Sequence, residues 1–303
     1  MLKLLLHCVI WVFHRLPIRS GLTKLSFNRF IDPLIAAAPR LPYAGLRDGQ
    51  RINVNIADHD GRILYLFGTN DPKVAQTAQA LSLPGDVFLD IGANYSTIGL
   101  AVSHTVGRTG AVHLFEPQSE IGGYVQEAIT AGGYDTVTLH RAGLLDRDDE
   151  LLLQVPLNHS GMASFDAANS DTSQFRTERC PVHEIGGYAG PLVSGKAFGV
   201  KLDIEGCEPA VMPWIVSQPN LRYLIFEASK NQAQLYNIVQ QAGLTLFGLL
   251  RHPLKLRLVR IDALADMARY HDLLAVRIPP ETPVPATTHP RTLAALLRDG
   301  VRG

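Results

Sequence analysis

The sequence predicts an α/β fold built around a nucleotide-binding β-α-β unit, and three features indicate it. An apolar run that starts at Val87 ends in Asp90 and Gly92. A helix-like segment follows over residues 96–103, and a second apolar run ends at Glu116. Short apolar runs of this kind are typical of buried parallel strands. Ligands of open α/β sheets bind beyond the carboxyl ends of the strands, so both acids are expected near a ligand.

The spacing of these two acids indicates a ligand that contains a ribose. Glu116 follows Asp90 by 26 residues, and nucleotide-binding folds place a ribose-binding acid about 20 residues beyond their first motif. Gly92 would let the backbone come close to a ligand, and the helix that follows would offer free N–H groups at its N-terminus. The sequence therefore predicts a nucleoside site here.

The glycine pattern distinguishes between two kinds of nucleoside cofactor. A dinucleotide site uses G-x-G-x-x-G to make room for a pyrophosphate, whereas this chain has Asp90-x-Gly92-x-Asn94-x-Ser96. A carboxylate at Asp90 would repel a pyrophosphate but suits a positively charged cofactor. S-adenosylmethionine (SAM) carries a sulfonium and an ammonium but no phosphate, so it fits better than a dinucleotide. The alternative for Asp90 alone is an acid that only caps a turn.

Composition sets mild bounds on the class of protein. A chain of 303 residues with 46% hydrophobic content can build one sizeable α/β core with extensions. Its net charge of zero gives no sign of a nucleic-acid surface. Cys8, Cys180 and Cys207 are odd in number and widely spaced, which argues against a disulfide framework or a zinc site. We therefore expect a reducing, cytoplasmic location.

The segment from Leu4 to Phe13 is almost continuously apolar. It is about half as long as the roughly 20 residues that a membrane-spanning helix needs, and no small-residue cleavage motif follows it. One interpretation is a helix packed on the domain or on a partner. The other is a helix lying at the inner face of a membrane, because Trp11, Arg15 and Arg19 are residue types that interfacial helices use.

A β-hairpin is predicted ahead of the β-α-β unit. Residues 51–56 and 62–67 flank the turn signal Asp58-His59-Asp60-Gly61, a pattern typical of hairpins. With the apolar N-terminal segment, this predicts a helical and hairpin extension over residues 1–75.

Apolar runs, glycines and prolines define the remaining elements. The predicted helices span residues 71–83, 122–131, 208–216, 229–242 and 292–298. The further predicted strands span residues 136–140, 151–155, 198–203, 221–226, 244–249 and 271–278. Residues 76–278 should therefore form one domain with a mostly parallel seven-stranded sheet and an antiparallel C-terminal strand. Residues 279–303 are rich in proline and threonine, which predicts a linker-like tail.

Four predicted strands end in an acid, namely Asp90, Glu116, Asp203 and Glu227. Asp203 and Glu227 lie across the switch point of the sheet from the cofactor, where an acceptor would bind. Methyl transfer to a hydroxyl requires removal of the hydroxyl proton, which a positioned carboxylate or histidine can accept. Alternatively, two acids at neighbouring strand ends could hold Mg²⁺, which would orient the acceptor oxygens.

Three other side chains lie near these motifs. Lys201 precedes Asp203 in its strand and is expected away from the functional edge, where it neutralises nearby acids on the sheet. His159, in the polar loop 158–164, either faces the acceptor or is structural. Cys207 has no paired base in the sequence and is expected to be a buried thiol.

Five blocks of the chain resemble the successive motifs of the FkbM-type SAM-dependent methyltransferases. They are Val87 to Asn94, Leu114 to Pro117, Asn158 to Ser164, Lys201 to Glu208 and Leu224 to Glu227. The most specific is Lys201-x-Asp203-x-Glu205-Gly206-x-Glu208. The resemblance covers residues 50–278, and it implies the Rossmann-like class I methyltransferase fold. It also implies O-methylation of a hydroxyl on a small molecule, sugar or glycan.

The resemblance further implies which residues contact cofactor and acceptor. The cofactor residues would be Asp90, Gly92 and Asn94 at the methionine end of SAM, Glu116 at the ribose, and the backbone around Ala142 beside the adenine. Asp203 and Glu205 would border the acceptor pocket, which makes them the candidate catalytic residues. Two other functions stay open: a catalytically silent SAM-fold binding or scaffold protein attached to a membrane assembly, and a nicotinamide-dependent oxidoreductase. The missing glycines argue against the oxidoreductase.

Overall fold

The helices and strands are taken from a computed structural model that describes residues 2–39, 41–165, 172–279 and 282–299. The helices are α1 Leu2–Arg15, α2 Leu22–Ser26, α3 Asp32–Ile35, α4 His59–Phe67, α5 Pro72–Leu81, α6 Thr97–Val106, α7 Ser119–Gly132, α8 Ile185–Val193, α9 Glu208–Ser217, α10 Gln232–Gln241, α11 Leu264–Met267 and α12 Pro290–Asp299. The strands are β1 Tyr43–Gly45, β2 Arg51–Asn53, β3 Val87–Ile91, β4 Ala111–Phe115, β5 Val137–His140, β6 Gly143–Leu145, β7 Asp149–Pro156, β8 Phe175–Glu184, β9 Phe198–Leu202, β10 Leu221–Glu227, β11 Thr245–Leu249, β12 Leu258–Ile261, β13 Asp272–Val276 and β14 Thr287–Thr288.

The central sheet has nine strands in the order β14-β12-β11-β13-β10-β9-β3-β4-β5. Strands β5, β4, β3, β9 and β10 are parallel, and β13 lies antiparallel to both β10 and β11. This arrangement confirms the predicted Rossmann-like methyltransferase fold with an antiparallel C-terminal strand. The sheet is wider than the seven strands predicted, because β12 and β14 extend its edge.

Both faces of this sheet are covered, which explains why its parallel strands are almost wholly apolar. One core cluster joins the sheet to α4, α5, α6, α7 and the N-terminal helix α1. The second lies under α8, α9 and α10. Each strand predicted from residue 87 onward is present. The order along the chain reverses between β3 and β9, so a ligand is expected at the carboxyl ends of these two strands.

The predicted hairpin over residues 51–67 is wrong. Strand β2 instead pairs with β1, with Tyr43 opposite Asn53, and the second half of the predicted hairpin is helix α4. Asp58 caps this helix, because its carboxylate accepts a hydrogen bond of 2.9 Å from the Gly61 N–H. The short apolar run up to Phe67 fits a buried helix as well as a strand, so the pattern alone could not separate them.

The segment predicted as a linker-like tail is partly built into the fold. Strand β14 pairs with β12, and α12 packs against α5 through the fully buried Leu293. The predicted helix at 292–298 is therefore present and slightly longer. Residues 280, 281 and 300–303 of this segment lie outside the described residues.

A smaller sheet, in the order β6-β8-β7, stands beside the main one. Neither β8 nor α8 was predicted. The first half of strand β8 is mostly polar and charged, and most of its residues are partly or fully exposed, so it lacks the apolar run that marks the core strands. Among the residues that the structure describes, no helix is long and apolar enough to cross a membrane.

Candidate functional site

A cavity of about 750 Å³ lies at the carboxyl ends of β3, β4, β9 and β10, a volume typical of small-molecule sites. Three of the strand-end acids line it, namely Glu116, Asp203 and Glu227. Further lining residues come from the starts of α4, α5, α6 and β13, from β6 and from the loop after β7. The prediction that acids of several strands meet at one edge is thus confirmed for these three.

Asp90 and Ala142 lie behind the cavity wall. The side chain of Asp90 is fully buried, and its Oδ2 accepts a hydrogen bond of 2.9 Å from the Gly99 N–H of α6. Ala142 is also buried, whereas Gly143, which follows it, lines the cavity. Any influence of Asp90 on a ligand is therefore electrostatic.

Gly92 brings two strand ends into contact. Its φ of 74° lies in the left-handed region, and a Cβ at this position would overlap the carbonyl oxygen of Asp203. Only glycine fits between β3 and the residue after β9. The glycine is thus required by the neighbouring backbone, and the predicted close approach of Gly92 to a ligand stays a prediction.

Lys201 lies at the functional edge, so its predicted position away from this edge is wrong. It pairs with Asp90 in the register of β9 and β3. Its Nζ donates a hydrogen bond of 2.5 Å to the carbonyl of Gly92, and it lies 3.4 Å from Asp203 Oδ2 and 3.7 Å from Asp90 Oδ1. Burial opposes a charge on this lysine, but the carboxylates of Asp203 and Asp90 outweigh burial and raise the pKa of Lys201.

Glu116 is oriented by the fold through both of its carboxylate oxygens. It is 3% exposed, and its two carboxylate oxygens accept hydrogen bonds of 2.7 Å from the Asn94 N–H and 2.8 Å from the Gln118 N–H. Burial raises the pKa of Glu116 to about 7, although both N–H groups favour its charged form. A carboxylate has further lone pairs, so Glu116 can still accept hydrogen bonds from a ligand in the cavity.

Asp203, Glu205 and Glu227 form an acidic group on the opposite side of the cavity, with carboxylate oxygens within 4.8 Å of one another. Asp203 Oδ1 is buried without a hydrogen-bond partner among the described residues. Burial and the neighbouring acids raise the pKa of Asp203 well above its usual value, and burial followed by Glu227 raises that of Glu205 to about 7. This donor set can accept a proton or hold a hard divalent cation.

Glu208 shapes the loop that carries Glu205. Its buried carboxylate accepts hydrogen bonds of 2.9 Å from the Ile204 N–H and 3.0 Å from the Gly206 N–H. Glu205 itself has a φ of 53°, an unusual conformation for a residue with a side chain. The last acid of the Lys201-x-Asp203-x-Glu205-Gly206-x-Glu208 motif therefore has a structural role.

A chain of charges that the sequence did not predict connects Glu227 to helix α5. Glu227 lies 3.0 Å from His271 Nε2, and the adjacent Asp272 lies 2.5 Å from Lys73 Nζ. The carboxylates of Asp272 and Glu227 raise the pKa of His271 to about 10. These partners lie far apart in the sequence, so only the fold brings them together.

His59 and Asp60 form a third wall that the hairpin prediction missed. His59 Nδ1 lies 3.0 Å from Asp60 Oδ1, and Asp60 Oδ2 accepts a hydrogen bond of 2.8 Å from the Asn94 side chain. His159 faces the same cavity and stacks on His59, with ring centroids 4.0 Å apart and planes at 11°. Ligand atoms of His59, Asp60 and His159 lie within 4.8 Å of one another, but two stacked rings cannot both point their nitrogens at one ion within their planes.

Cys207 is half-buried and lines the cavity. The expectation of a buried thiol is therefore wrong. Its position follows from its place in the Asp203 to Glu208 loop, which projects into the cavity.

Comparisons with known proteins give only distant likenesses. No family model and no curated protein matches the sequence. Methyltransferase FkbM from Methylobacillus flagellatus is 14% identical with a TM-score of 0.41, over 73% of this chain and 66% of that one. Precorrin-6y C5,15-methyltransferase from Geobacter metallireducens is 9% identical with a TM-score of 0.39, over 69% and 90%. Fibrillarin from Aeropyrum pernix, solved with SAM bound, is 14% identical with a TM-score of 0.38, over 78% and 94%.

These values are too low to assign a function to this chain. Assignment to the FkbM-type family stays a prediction.

Proposed function

We propose that this protein is a SAM-dependent methyltransferase that methylates a hydroxyl oxygen of a small-molecule, sugar or glycan acceptor. The observation that carries the proposal is the position of Glu116. This buried acid lies at the end of β4, is held by the Asn94 and Gln118 N–H groups, and lines the same cavity as the Gly92 loop. A ribose diol is the ligand group that an acid placed there binds in related folds.

The charge of the cavity supports SAM over a dinucleotide. Seven Asp and Glu side chains line it against four Lys and Arg side chains, and such an excess of acids would repel a pyrophosphate. The loop from Gly92 to Ser96 also lacks the further glycines that make room for one. SAM, when bound, supplies a methyl group on a sulfonium, and this positive charge matches the acids.

Asp203 and Glu205 are the proposed proton acceptors. Methyl transfer forms a carbon–oxygen bond at the acceptor hydroxyl as the carbon–sulfur bond breaks, and the hydroxyl proton must leave. A pKa near 7, as at Glu205, suits a group that takes a proton at neutral pH. Asp203 offers a buried oxygen, Oδ1, without a hydrogen-bond partner among the described residues.

A divalent ion held by the same acids is the alternative route to an activated hydroxyl. Asp203, Glu205 and Glu227 would be its ligands, because their oxygens lie close together and carboxylates are the ligands that Mg²⁺ prefers. In that version the ion lowers the pKa of the acceptor hydroxyl.

Calorimetric titration with SAM and with NADH tests the cofactor. We expect SAM to bind and NADH not to bind. Glu116→Ala should weaken SAM binding by about 1.5–3 kcal/mol, the range for a hydrogen bond to a charged group. Glu150→Ala, at an exposed acid of β7, should leave binding unchanged. Binding of NADH but not SAM would falsify the proposal, and equal SAM affinity of the Glu116 variant would remove this residue from the ribose role.

A further inference from the structure

Helix α1 has an apolar outer face. Its inner face packs on α3 and α4, with Leu6 buried and Phe13 stacked on Phe67. The opposite face carries Leu4, Leu5, Cys8, Trp11 and Val12, all exposed, at the spacing of neighbours on a helix. Leu4 is 72% exposed and Trp11 58%. An exposed apolar stripe of this kind indicates an interaction surface.

The segment after α1 continues this pattern. Leu25, Phe27 and Phe30 are also exposed, and Phe30 is 71% exposed. Helix α2 packs on α4, as α1 does, so both exposed sets belong to one unit of the molecule. We call the exposed side chains of residues 2–30 the N-terminal surface.

The N-terminal surface is basic. The sequence has no acid before Asp32, whereas this stretch contains Lys3, Arg15, Arg19, Lys24 and Arg29. The whole chain has zero net charge, so the other residues carry a matching excess of acid.

Two of these cations lie over exposed aromatic rings. The guanidinium of Arg15 is 3.9 Å from the Trp11 ring centroid, and that of Arg29 is 4.8 Å from the ring centroid of Phe30. Within the described residues, no carboxylate forms an ion pair with either arginine or with Lys3 or Lys24. Their charge therefore remains available to a partner.

We propose that the N-terminal surface binds an anionic membrane, with α1 lying in the interface. Exposed leucines and aromatic rings beside unpaired lysines and arginines are the chemistry of interfacial helices. An anionic lipid surface complements the charge of this face. A second copy of the chain would present the same basic face, so a symmetric dimer through it would bring like charges together.

The N-terminal surface adjoins the cavity. Thr23 of α2 lines the cavity, and Phe27 stacks on the cavity residue His59 with ring centroids 5.0 Å apart. Membrane docking would therefore place one wall of the cavity beside the bilayer. If the proposed methyl transfer is correct, this position suits an acceptor held at the membrane surface.

Co-sedimentation of the full chain with lipid vesicles tests the docking independently of catalysis. Vesicles of phosphatidylcholine alone are compared with vesicles that also contain phosphatidylserine, at low and high salt. We expect the protein to pellet with the anionic vesicles, more weakly at high salt, and not with the neutral ones. Failure to pellet with anionic vesicles would overturn the docking and leave the proposed activity untouched.

Matched variants test whether vesicle binding depends on the N-terminal surface or on exposed residues elsewhere. Leu4→Glu with Trp11→Glu should abolish pelleting, while Leu152→Glu, at an exposed leucine of β7, should not affect it. Lys24→Glu with Arg29→Glu should weaken binding by at least roughly tenfold, since each basic residue near an anionic surface contributes several-fold. Arg108→Glu, at an exposed arginine elsewhere, should have little effect.

Light scattering and circular dichroism complete the test. All variants should keep the helical spectrum and melting temperature of the parent, because the changed side chains are exposed. The membrane proposal would be contradicted if the parent does not bind vesicles and forms a dimer that Trp11→Glu converts to a monomer. That outcome would assign this face to contact with a second copy of the chain.

Discussion

The Nζ of Lys201 donates a hydrogen bond of 2.5 Å to the carbonyl oxygen of Gly92. This bond joins β9, which leads to Asp203 and Glu205, to the loop after β3, which lies beside Glu116. Asp90 and Asp203 flank the same ammonium group, so one buried cation neutralises an acid from each side. The two halves of the site are therefore coupled through a single side chain.

Lys201→Met should destabilise the fold by about 3–5 kcal/mol, because it leaves buried carboxylates without their cation. Methionine keeps most of the volume of the lysine side chain, so the loss of stability can be attributed to the missing positive charge. Urea unfolding followed by circular dichroism measures the change. Lys196→Met, at an exposed lysine just before the same strand, is the control and should stay within about 0.5 kcal/mol of the parent. Equal stability of the two variants would show that Asp90 and Asp203 are already protonated.

Gly92→Ala should destabilise the protein by more than backbone strain alone. The left-handed φ of 74° costs an alanine roughly 1–2 kcal/mol, and the added Cβ would also overlap the Asp203 carbonyl. Gly133→Ala is the matched control, because its φ is 64° and no described atom lies within 4 Å of its Cβ position. The difference between the two variants in the free energy of unfolding, measured with urea, gives the cost of crowding the Asp203 carbonyl. Similar losses in both would mean that the loop moves aside at little cost.

Much of the fold could be predicted because its core strands are buried on both faces. Such strands appear as uninterrupted apolar runs, and the acids at their ends mark the cavity edge. Helix α4 was missed because a short apolar run does not distinguish helix from strand. Because this helix was not predicted, His59 and Asp60 were not recognised as cavity residues. Only Asp58, a residue type typical of helix N-caps, would have indicated a helix here.

Other parts of the site depend on tertiary contacts. The reach of Lys201 to Gly92 requires β9 to lie beside β3, which local sequence does not encode. The same holds for the ion pair between Lys73 and Asp272, which joins α5 to β13. The site was therefore harder to predict than the fold, because its contacts join long side chains to partners that lie far away in the sequence.

Glu116 should make the stability of the ligand-free protein fall as pH rises. Its pKa is raised from 4.5 to about 7 by burial, so the folded state binds this proton more tightly than the unfolded chain. The stabilisation is complete below pH 4.5 and is lost as pH rises towards 7, by at most about 3 kcal/mol.

Glu116→Gln removes this titration and keeps the shape of the side chain. Free energies of unfolding at several pH values across this window should therefore fall less steeply in the variant than in the parent. Glu150→Gln, at an exposed acid, should follow the parent. Parallel curves for the parent and Glu116→Gln would show that Glu116 titrates at its ordinary pKa.

Asp203→Asn should separate cofactor binding from chemistry. The change keeps the shape of the side chain but removes the charge that, in the proposed mechanism, either accepts the hydroxyl proton or binds a divalent ion. Methyl transfer should fall by roughly 10²–10⁴-fold, the usual contribution of a general base, while the calorimetric affinity for SAM stays nearly unchanged. Asp262→Asn, at an exposed acid after β12, should retain full turnover.

A chelator distinguishes the two roles of Asp203. If the acids hold a divalent ion, EDTA should abolish the activity of the parent and added Mg²⁺ should restore it. If Asp203 takes the proton directly, EDTA should have no effect, and the rate should depend on the protonation of a carboxyl whose pKa burial has raised. Full turnover by Asp203→Asn would exclude both roles, and the proton acceptor would then be sought at Glu205 or on the opposite wall, where His59 is paired with Asp60.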